Sequence, residues 1–395
     1  MNERSYALGS KRSIIREIFE YGKVRKAEIG AENVYDFSLG NPSVAPPKAV
    51  GDELKRLLDG ENLTALHGYT SAQGDIATRK AVKRSLDKLC DFGIDENLIY
   101  MTCGAAASLT VTLKAILNAG DECIVFAPFF TEYRVFVENA DGKLIISKPD
   151  ERDFQIDFDD FKSKISKKTK AVIINSPNNP SGVVYTEETI KKLCAILREK
   201  SEENGSPIYI ISDEPYRALV YTDRKLPFIM NYYENSFVCY SYSKALSLPG
   251  ERIGYIAINP KAKDAGALFN AVCGAGRSLG FVCAPSLFQK LIVKCADMSV
   301  DINVYKENRD ILYNGLKSFG YRCVKPDGAF YLLVHCFGDD AYSFYEKAKK
   351  YELLLVPCDD FGISGYVRIA YCVSKETIVN SLPAFRALAE EYKKA

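Results

Sequence analysis

The chain has 395 residues and a formal net charge of +1. This length suffices for two domains with large cores, and the near-neutral charge argues against nucleic acid or an anionic membrane surface as the main partner. The first residues are polar and charged, unlike a signal peptide, and no apolar run is long enough to span a bilayer.

The cysteines and histidines indicate the cellular compartment and limit the kinds of catalytic and metal sites that the chain can form. The twelve cysteines are scattered without Cys-x-x-Cys pairs, and many lie in apolar segments, as Cys123 and Cys239 do. Such cysteines are typical of small buried side chains in a reducing compartment, so we expect a cytoplasmic protein. His67 and His335 are the only histidines in the sequence, which leaves few candidates for a His-based triad, and we expect no metal site.

Residues 1–45 are predicted to form an N-terminal arm. Ser13 can cap a helix over residues 14–21, and residues 34–39 are predicted to form a short strand that ends at Gly40. Two consecutive prolines, Pro46 and Pro47, then indicate a boundary. Helices are predicted over residues 48–59 and 75–90.

From residue 98 the sequence alternates between short β-branched runs and helical stretches. Predicted strands cover 98–102, 122–126, 143–147, 171–175, 208–212 and 237–240, and predicted helices cover 105–118, 129–139, 158–165 and 187–203. This alternation predicts an α/β fold with a mainly parallel sheet covered by helices on both faces. In such sheets ligands bind beyond the carboxyl ends of the strands.

After residue 285 the pattern changes to that of a smaller α+β unit. Predicted helices cover 286–294 and 302–319 and the chain from 375 onward, and predicted strands cover 321–324, 328–334, 353–356 and 366–371. We therefore expect a large domain over residues 46–288. The small domain is expected to combine residues 1–45 with residues 289–395.

One lysine follows a predicted buried strand at the centre of the chain. Lys244 lies beside Ser241 and Ser243, and Arg252 follows a Leu-Pro-Gly turn. A lysine held in a pocket can lose its proton and attack a carbonyl group, while two hydroxyls and a guanidinium can hold a phosphate. Aldehyde chemistry beside a phosphate site indicates pyridoxal 5'-phosphate (PLP).

This stretch resembles the lysine signature of class I aminotransferases, which are fold type I PLP enzymes. The resemblance implies that Lys244 binds the cofactor covalently. It also places the backbone of Gly104, Ala105 and Ala106 at the cofactor phosphate, where free N–H groups at a helix start attract anions. Tight strand–helix packing is the alternative reading of that Gly-Ala-Ala segment.

Three further segments resemble the family in the expected order. Phe130, two residues after Pro128, resembles the aromatic residue that stacks on the pyridine ring, although it also suits a plain core position. Asn179 and Tyr216 resemble the donors to the phenolic oxygen. Asp213 resembles the carboxylate that keeps the pyridine nitrogen protonated, and otherwise suits a strand-end cap.

The remaining matches concern the substrate and a second subunit. Arg368 and the backbone N–H of Gly40 resemble the groups that bind the substrate α-carboxylate. Tyr69 resembles the tyrosine that reaches the phosphate of the neighbouring subunit, which implies a homodimer. Arg277 is either a distal-carboxylate contact or a surface arginine on a glycine-rich loop. Cys358 stands where the family commonly has glycine, which leaves the path of that loop open.

The resemblance implies an aminotransferase that moves an amino group from an L-amino acid to a 2-oxo acid in two half-reactions, with aspartate- or glutamate-type substrates slightly preferred. A PLP-dependent C–S β-lyase or synthase of the same fold would keep Lys244, Asp213 and Arg368, so it remains an alternative. A non-catalytic PLP-sensing regulator is a third alternative. It is less favoured because such proteins carry a DNA-binding module ahead of this fold, whereas the arm before Gly40 is too short for one and the net charge is nearly neutral.

Overall fold

The structure is a computed structural model that describes residues 1–10, 13–60, 62–223, 225–338 and 340–394. Its α-helices are α1 Glu3–Ser10, α2 Ile14–Ile29, α3 Lys48–Leu58, α4 Leu63–His67, α5 Ile76–Asp87, α6 Ala105–Ile116, α7 Glu132–Asn139, α8 Phe158–Lys164, α9 Glu187–Asn204, α10 Tyr242–Ala245, α11 Ala265–Ser278, α12 Ser286–Cys295, α13 Asn303–Phe319, α14 Ala341–Lys349 and α15 Lys375–Lys394. Within the described ranges, no helix is both long and apolar enough to cross a membrane.

The strands form three sheets. They are β1 Tyr35–Asp36, β2 Ile99–Thr102, β3 Glu122–Phe126, β4 Lys143–Ser147, β5 Thr169–Asn175, β6 Tyr209–Asp213, β7 Ser236–Ser241, β8 Gly254–Ile258, β9 Tyr331–His335, β10 Leu353–Leu354, β11 Val356–Pro357 and β12 Tyr366–Ala370. The largest sheet has the order β2-β8-β7-β6-β5-β3-β4, and β8 alone runs against its neighbours. The predicted α/β fold with a mainly parallel sheet is confirmed.

The large sheet separates two apolar cores. Alternate side chains of a strand point to opposite faces, so Ile210 of β6 enters one core while Ile211 enters the other. Helix α9 contributes Leu193 to the first core, and α6 contributes Val111 to the second. Both faces are therefore covered, which explains why the central strands are almost continuous apolar runs.

A third core holds the smaller unit together. Strands β11, β12 and β9 form an antiparallel sheet, and β1 pairs in parallel with β10 through Tyr35 and Leu353. Lys26 of α2 also forms an ion pair with Asp36 at 2.6 Å. The N-terminal arm thus contacts the C-terminal part of the chain. The predicted boundary between 288 and 289 falls inside α12, and the division into domains stays a prediction.

Two local predictions were wrong. Residues 321–324 form one isolated bridge, between Cys323 and Val334, rather than a strand, because Pro326 soon follows and lacks an N–H to continue a ladder. Arg277 lies in the last turn of α11, not on a glycine-rich loop. A Cβ at Gly276 would lie 2.2 Å from the Tyr100 hydroxyl. Helix α11 can therefore pack this close to Tyr100 only because residue 276 has no side chain.

Candidate active site

Lys244 lies in the short helix α10, directly after β7. Its ammonium group donates a hydrogen bond to the carbonyl oxygen of Gly40 at 2.7 Å and lies 5.2 Å from the centre of the Phe330 ring. Burial lowers the pKa of the Lys244 ammonium group to about 8. The charges of Arg368 and Arg252 also lower it, whereas the Cys372 thiol raises it. A lysine with this pKa has a much larger neutral fraction near neutral pH than an ordinary lysine, as a nucleophile or base requires.

Asp213 ends the central strand β6 and is buried. Its Oδ2 accepts a hydrogen bond of 2.6 Å from the Tyr133 hydroxyl, while its Oδ1 is buried without a partner. Burial raises the pKa of Asp213 to about 7, although the bond from Tyr133 lowers it. A buried carboxylate oxygen without a donor is costly, so this atom indicates a place for a ligand.

Asn175 links Asp213 to Asn179 across the ends of two strands. Its side-chain nitrogen donates to the Asp213 carbonyl at 2.8 Å, and its Oδ1 accepts from the Asn179 backbone N–H at 2.7 Å. Because β5 and β6 are parallel neighbours, their carboxyl ends lie side by side. The structure therefore brings both predicted site residues to one edge of the sheet, as the rule for such sheets predicts.

Arg368 of β12 reaches this edge from the smaller unit. Its guanidinium donates to Asn179 Oδ1 at 3.2 Å and to the Ser38 carbonyl at 2.6 Å, and its Nε is buried without a partner. A guanidinium that is only partly satisfied inside the protein is suited to an anionic ligand. Ser38 is close in sequence to Gly40, so Arg368 and Gly40 are held near each other.

Two tyrosines complete this side of the site. The hydroxyls of Tyr216 and Tyr331 are 3.0 Å apart, and the Arg368 guanidinium lies 4.7 Å from the centre of the Tyr331 ring. A Cβ on Gly40 would lie 1.8 Å from the Tyr331 hydroxyl, so this position excludes any side chain. Gly40, Tyr331 and Tyr216 thus form a continuous set of contacts with Lys244 and Arg368.

The predicted phosphate residues form a separate group. Arg252 has a left-handed backbone, with φ of 53°, and a Cβ on Gly104 would lie 2.8 Å from its guanidinium. Gly104 therefore lets the arginine approach the start of α6, where Ala105 and Ala106 provide backbone N–H groups. The side chains of Ser241, at the end of β7, and Ser243, in α10, are also buried.

Phe130 and the outer residues differ in position. Phe130 is half-buried and meets the Tyr133 ring edge-on, with centroids 5.7 Å apart. Because Tyr133 is hydrogen-bonded to Asp213, Phe130 is connected to Asp213 through this one side chain. Tyr69 is 93% exposed, and Arg277 is exposed on α11. The structure of this one chain does not bring Tyr69 and Arg277 into contact with the buried group.

Sequence reasoning missed several residues of this site. Tyr133 follows Phe130 by three positions, a helical spacing that could have indicated a shared face. Asn175 is the last residue of a predicted strand, where ligand-facing side chains are expected. Tyr331 and Phe330 had no local signal, because their importance arises from contacts with residues distant in sequence.

These groups fit PLP. The unpaired Asp213 Oδ1 suits a protonated ring nitrogen, the depressed pKa of Lys244 suits bonding to an aldehyde, and the Gly104–Arg252 approach at a helix start suits a phosphate. The architecture, with these residues at the carboxyl ends of the strands, is that of a fold type I PLP enzyme.

Comparisons with known proteins agree. The family model for aminotransferase class I and II matches residues 32–385. A probable aspartate aminotransferase of Methanocaldococcus jannaschii is 32% identical over 394 residues, covering 96% of this chain and 98% of that protein. A probable N-acetyl-LL-diaminopimelate aminotransferase of Bacillus subtilis is 29% identical over 363 residues, covering 89% of this chain and 88% of that protein. The crystal structure of an aminotransferase from Eubacterium rectale is 55% identical, with a TM-score of 0.97 and 99% coverage of both chains.

The chain belongs to the aminotransferase class I and II family. It is a PLP-dependent aminotransferase, which confirms the predicted family, activity and cofactor.

Proposed function

We propose that this aminotransferase acts on L-amino acids and 2-oxo acids with a preference for dicarboxylic substrates of the aspartate and glutamate type. The observation that supports an amino-acid substrate is the buried guanidinium of Arg368, whose Nε has no partner and suits an α-carboxylate. Relatives named aspartate aminotransferase, such as those of Methanocaldococcus jannaschii and Thermotoga maritima, support the dicarboxylic preference.

The residues around the sheet edge would hold the cofactor. Its phosphate would lie at the start of α6, with Arg252 and the hydroxyls of Ser241 and Ser243 as side-chain donors. Phe130 would cover the ring, and Asp213 would pair with the ring nitrogen through Oδ1. When bound, PLP supplies an electron sink for the bond that breaks at the substrate Cα. Asn179 and Tyr216 would donate to the phenolic oxygen.

Lys244 is proposed to have two functions. As a neutral amine it would attach the cofactor. Once released, it would take the proton from the substrate Cα and deliver it to the cofactor C4′ carbon within the same half-reaction, and the second half-reaction would run this transfer in reverse. Burial supports both functions because it lowers the pKa of this group to about 8. The bond from Lys244 to the Gly40 carbonyl places the amine beside the proposed carboxylate site.

Arg368 and Gly40 are proposed to bind the substrate α-carboxylate. The guanidinium is held by Ser38 and Asn179, so its orientation is fixed before a substrate arrives. A carboxylate would satisfy the unpaired Nε and accept the Gly40 N–H. The ring of Tyr331 supports the guanidinium from one side.

The active assembly is proposed to be a homodimer. Two segments joined by the hydrogen bond from Gln289 to Thr70 expose large side chains, namely Leu63, Tyr69, Ile76 and Val282. Large apolar side chains that are exposed on adjoining segments are typical of a surface that another molecule covers. We further propose a cytoplasmic location, since buried thiols such as Cys123 and Cys239 are not disulfide-bonded.

A panel of donors tests this function. Aspartate, glutamate, alanine and phenylalanine would each be supplied with 2-oxoglutarate, except that glutamate would be paired with oxaloacetate. We expect one new 2-oxo acid per donor consumed, fastest with the dicarboxylic donors. Without an acceptor the reaction should stop after about one product per site, because the amino group stays on the enzyme. Continuous release of ammonia and pyruvate from a cysteine S-conjugate, supplied without an acceptor, would instead identify a β-lyase.

A further inference from the structure

Tyr133 contacts two proposed cofactor residues and has no assigned role. It lies in the first turn of α7, is 1% exposed, and donates its hydroxyl to Asp213 at 2.6 Å. Its ring meets Phe130 edge-on. A hydroxyl–carboxylate bond of this length is charge-assisted and about twice as strong as one between neutral groups.

Asp213 needs such a donor because its backbone is fixed while its carboxylate is not. The Asp213 carbonyl accepts from Asn175, and β6 pairs with β5 and β7. The torsion that turns a carboxylate plane is soft, so backbone pairing leaves that plane free to rotate. A bond to Oδ2 alone fixes the plane and leaves Oδ1 open.

The other groups near this carboxylate do not perform that function. Glu214 is committed elsewhere, since it accepts from the Ser212 hydroxyl and forms an ion pair with Arg217. Tyr216 is hydrogen-bonded to Tyr331. The Cys239 thiol lies 3.5 Å from the Thr112 hydroxyl.

We propose that Tyr133 is a positioning residue that holds Asp213 through Oδ2, so that Oδ1 is available to the ring nitrogen of the cofactor. This inference rests on the proposed role of Asp213. Through its edge contact with Phe130, the same side chain couples the residue proposed to cover the ring with the residue proposed to pair with its nitrogen.

The hydroxyl also favours the ionised carboxylate. Burial raises the pKa of Asp213 to about 7 and the charge of Glu214 raises it too, whereas the bond from Tyr133 lowers it. Removal of that bond should move the pKa of Asp213 upward. Cofactor binding that requires the carboxylate should then weaken first at the acid side and recover only at higher pH.

The test compares Tyr133→Phe with Tyr233→Phe. Tyr233 is also 1% exposed, but its hydroxyl donates to the Ile208 carbonyl, so the control deletes an equally buried hydroxyl away from Asp213. Cofactor dissociation constants would be measured by equilibrium dialysis across a pH range centred on about 7. We expect Tyr133→Phe to bind about 10- to 100-fold more weakly at the acid end and to lose a similar factor in kcat/KM. The control should keep the parent pH profile.

A double-mutant cycle with Asp213→Asn then shows whether Tyr133 acts through Asp213. In the Asp213→Asn background, Tyr133→Phe should cause no further loss. Two outcomes would overturn the inference: an equal loss in both backgrounds, or a Tyr133→Phe pH profile that matches the control. The proposed function would still be supported if Asp213→Asn by itself lowers cofactor binding and turnover. If Asp213→Asn itself binds cofactor and turns over normally, the proposed role of Asp213 fails and the inference fails with it.

Discussion

The buried residues at the edge of the sheet differ in their surroundings from two exposed residues, Tyr69 and Arg277, which we call the rim. At the buried edge, Asp213 and Arg368 are buried, each keeps one atom without a partner, and Lys244 beside them is half-buried. At the rim, Tyr69 and Arg277 are exposed and contact none of these residues in one chain. The buried edge is therefore preorganised within a single chain, whereas we propose that the two exposed residues act only when a second subunit is present.

The comparison predicts the largest effect at Lys244. Lys244→Ala should lower turnover by several orders of magnitude, because both the nucleophile and the base are lost. The phosphate residues are unchanged, so the variant should still bind the cofactor measurably. Borohydride treatment of the parent protein should abolish its visible absorption and attach the cofactor to a peptide containing Lys244.

A matched control is Lys261→Ala, since that lysine lies over the Phe92 ring away from the site. It should retain the activity and the labelled peptide of the parent. A label on another lysine, or near-normal turnover by Lys244→Ala, would remove Lys244 from its proposed functions.

The buried residues are also the part of the site that the sequence could predict. Asp213, Asn179 and Lys244 follow predicted strands, and the rule that ligands bind at the carboxyl ends of parallel strands predicts that the three residues lie together. The mainly parallel sheet was predicted because its strands are short β-branched runs between helices. Strand β8 was missed: it begins where the lysine motif ends, and no element was predicted for residues 255–258.

Contacts between distant residues could not be predicted in the same way. Tyr331 lies next to Tyr216 although 115 positions separate them, and no periodicity indicates such a pair. The helical state of Arg277 was missed because the nearby Gly276 and Gly280 suggested a loop. Tertiary packing overrides that preference, as the contact of Gly276 with Tyr100 illustrates.

A smaller effect is expected at Arg277, which tests whether the rim recognises the substrate side chain. If Arg277 binds the distal carboxylate in the assembled enzyme, Arg277→Ala should lower kcat/KM for aspartate and glutamate by roughly 2 to 4 kcal/mol and spare alanine and phenylalanine. Steady-state kinetics with the four donors measure this difference. Arg56→Ala is a suitable control, because Arg56 is exposed and pairs with Glu53 on its own helix. Equal losses for all four donors, or none, would exclude this role.

The smallest effect is expected at Tyr69, and it tests whether the rim serves a second subunit. Tyr69→Phe removes one proposed donor to a phosphate and should weaken cofactor binding by about tenfold. Mixing it with Lys244→Ala under conditions that exchange subunits should create mixed dimers with one intact site, because each chain supplies what the other lacks. At limiting cofactor, about a quarter of all sites would be intact, so activity should rise to about five times the average of the separate variants. Subunit exchange would be verified by mass spectrometry of a size-tagged chain under native conditions. Verified exchange without a gain in activity would show that Tyr69 does not act across a dimer interface, and the rim would then need another explanation.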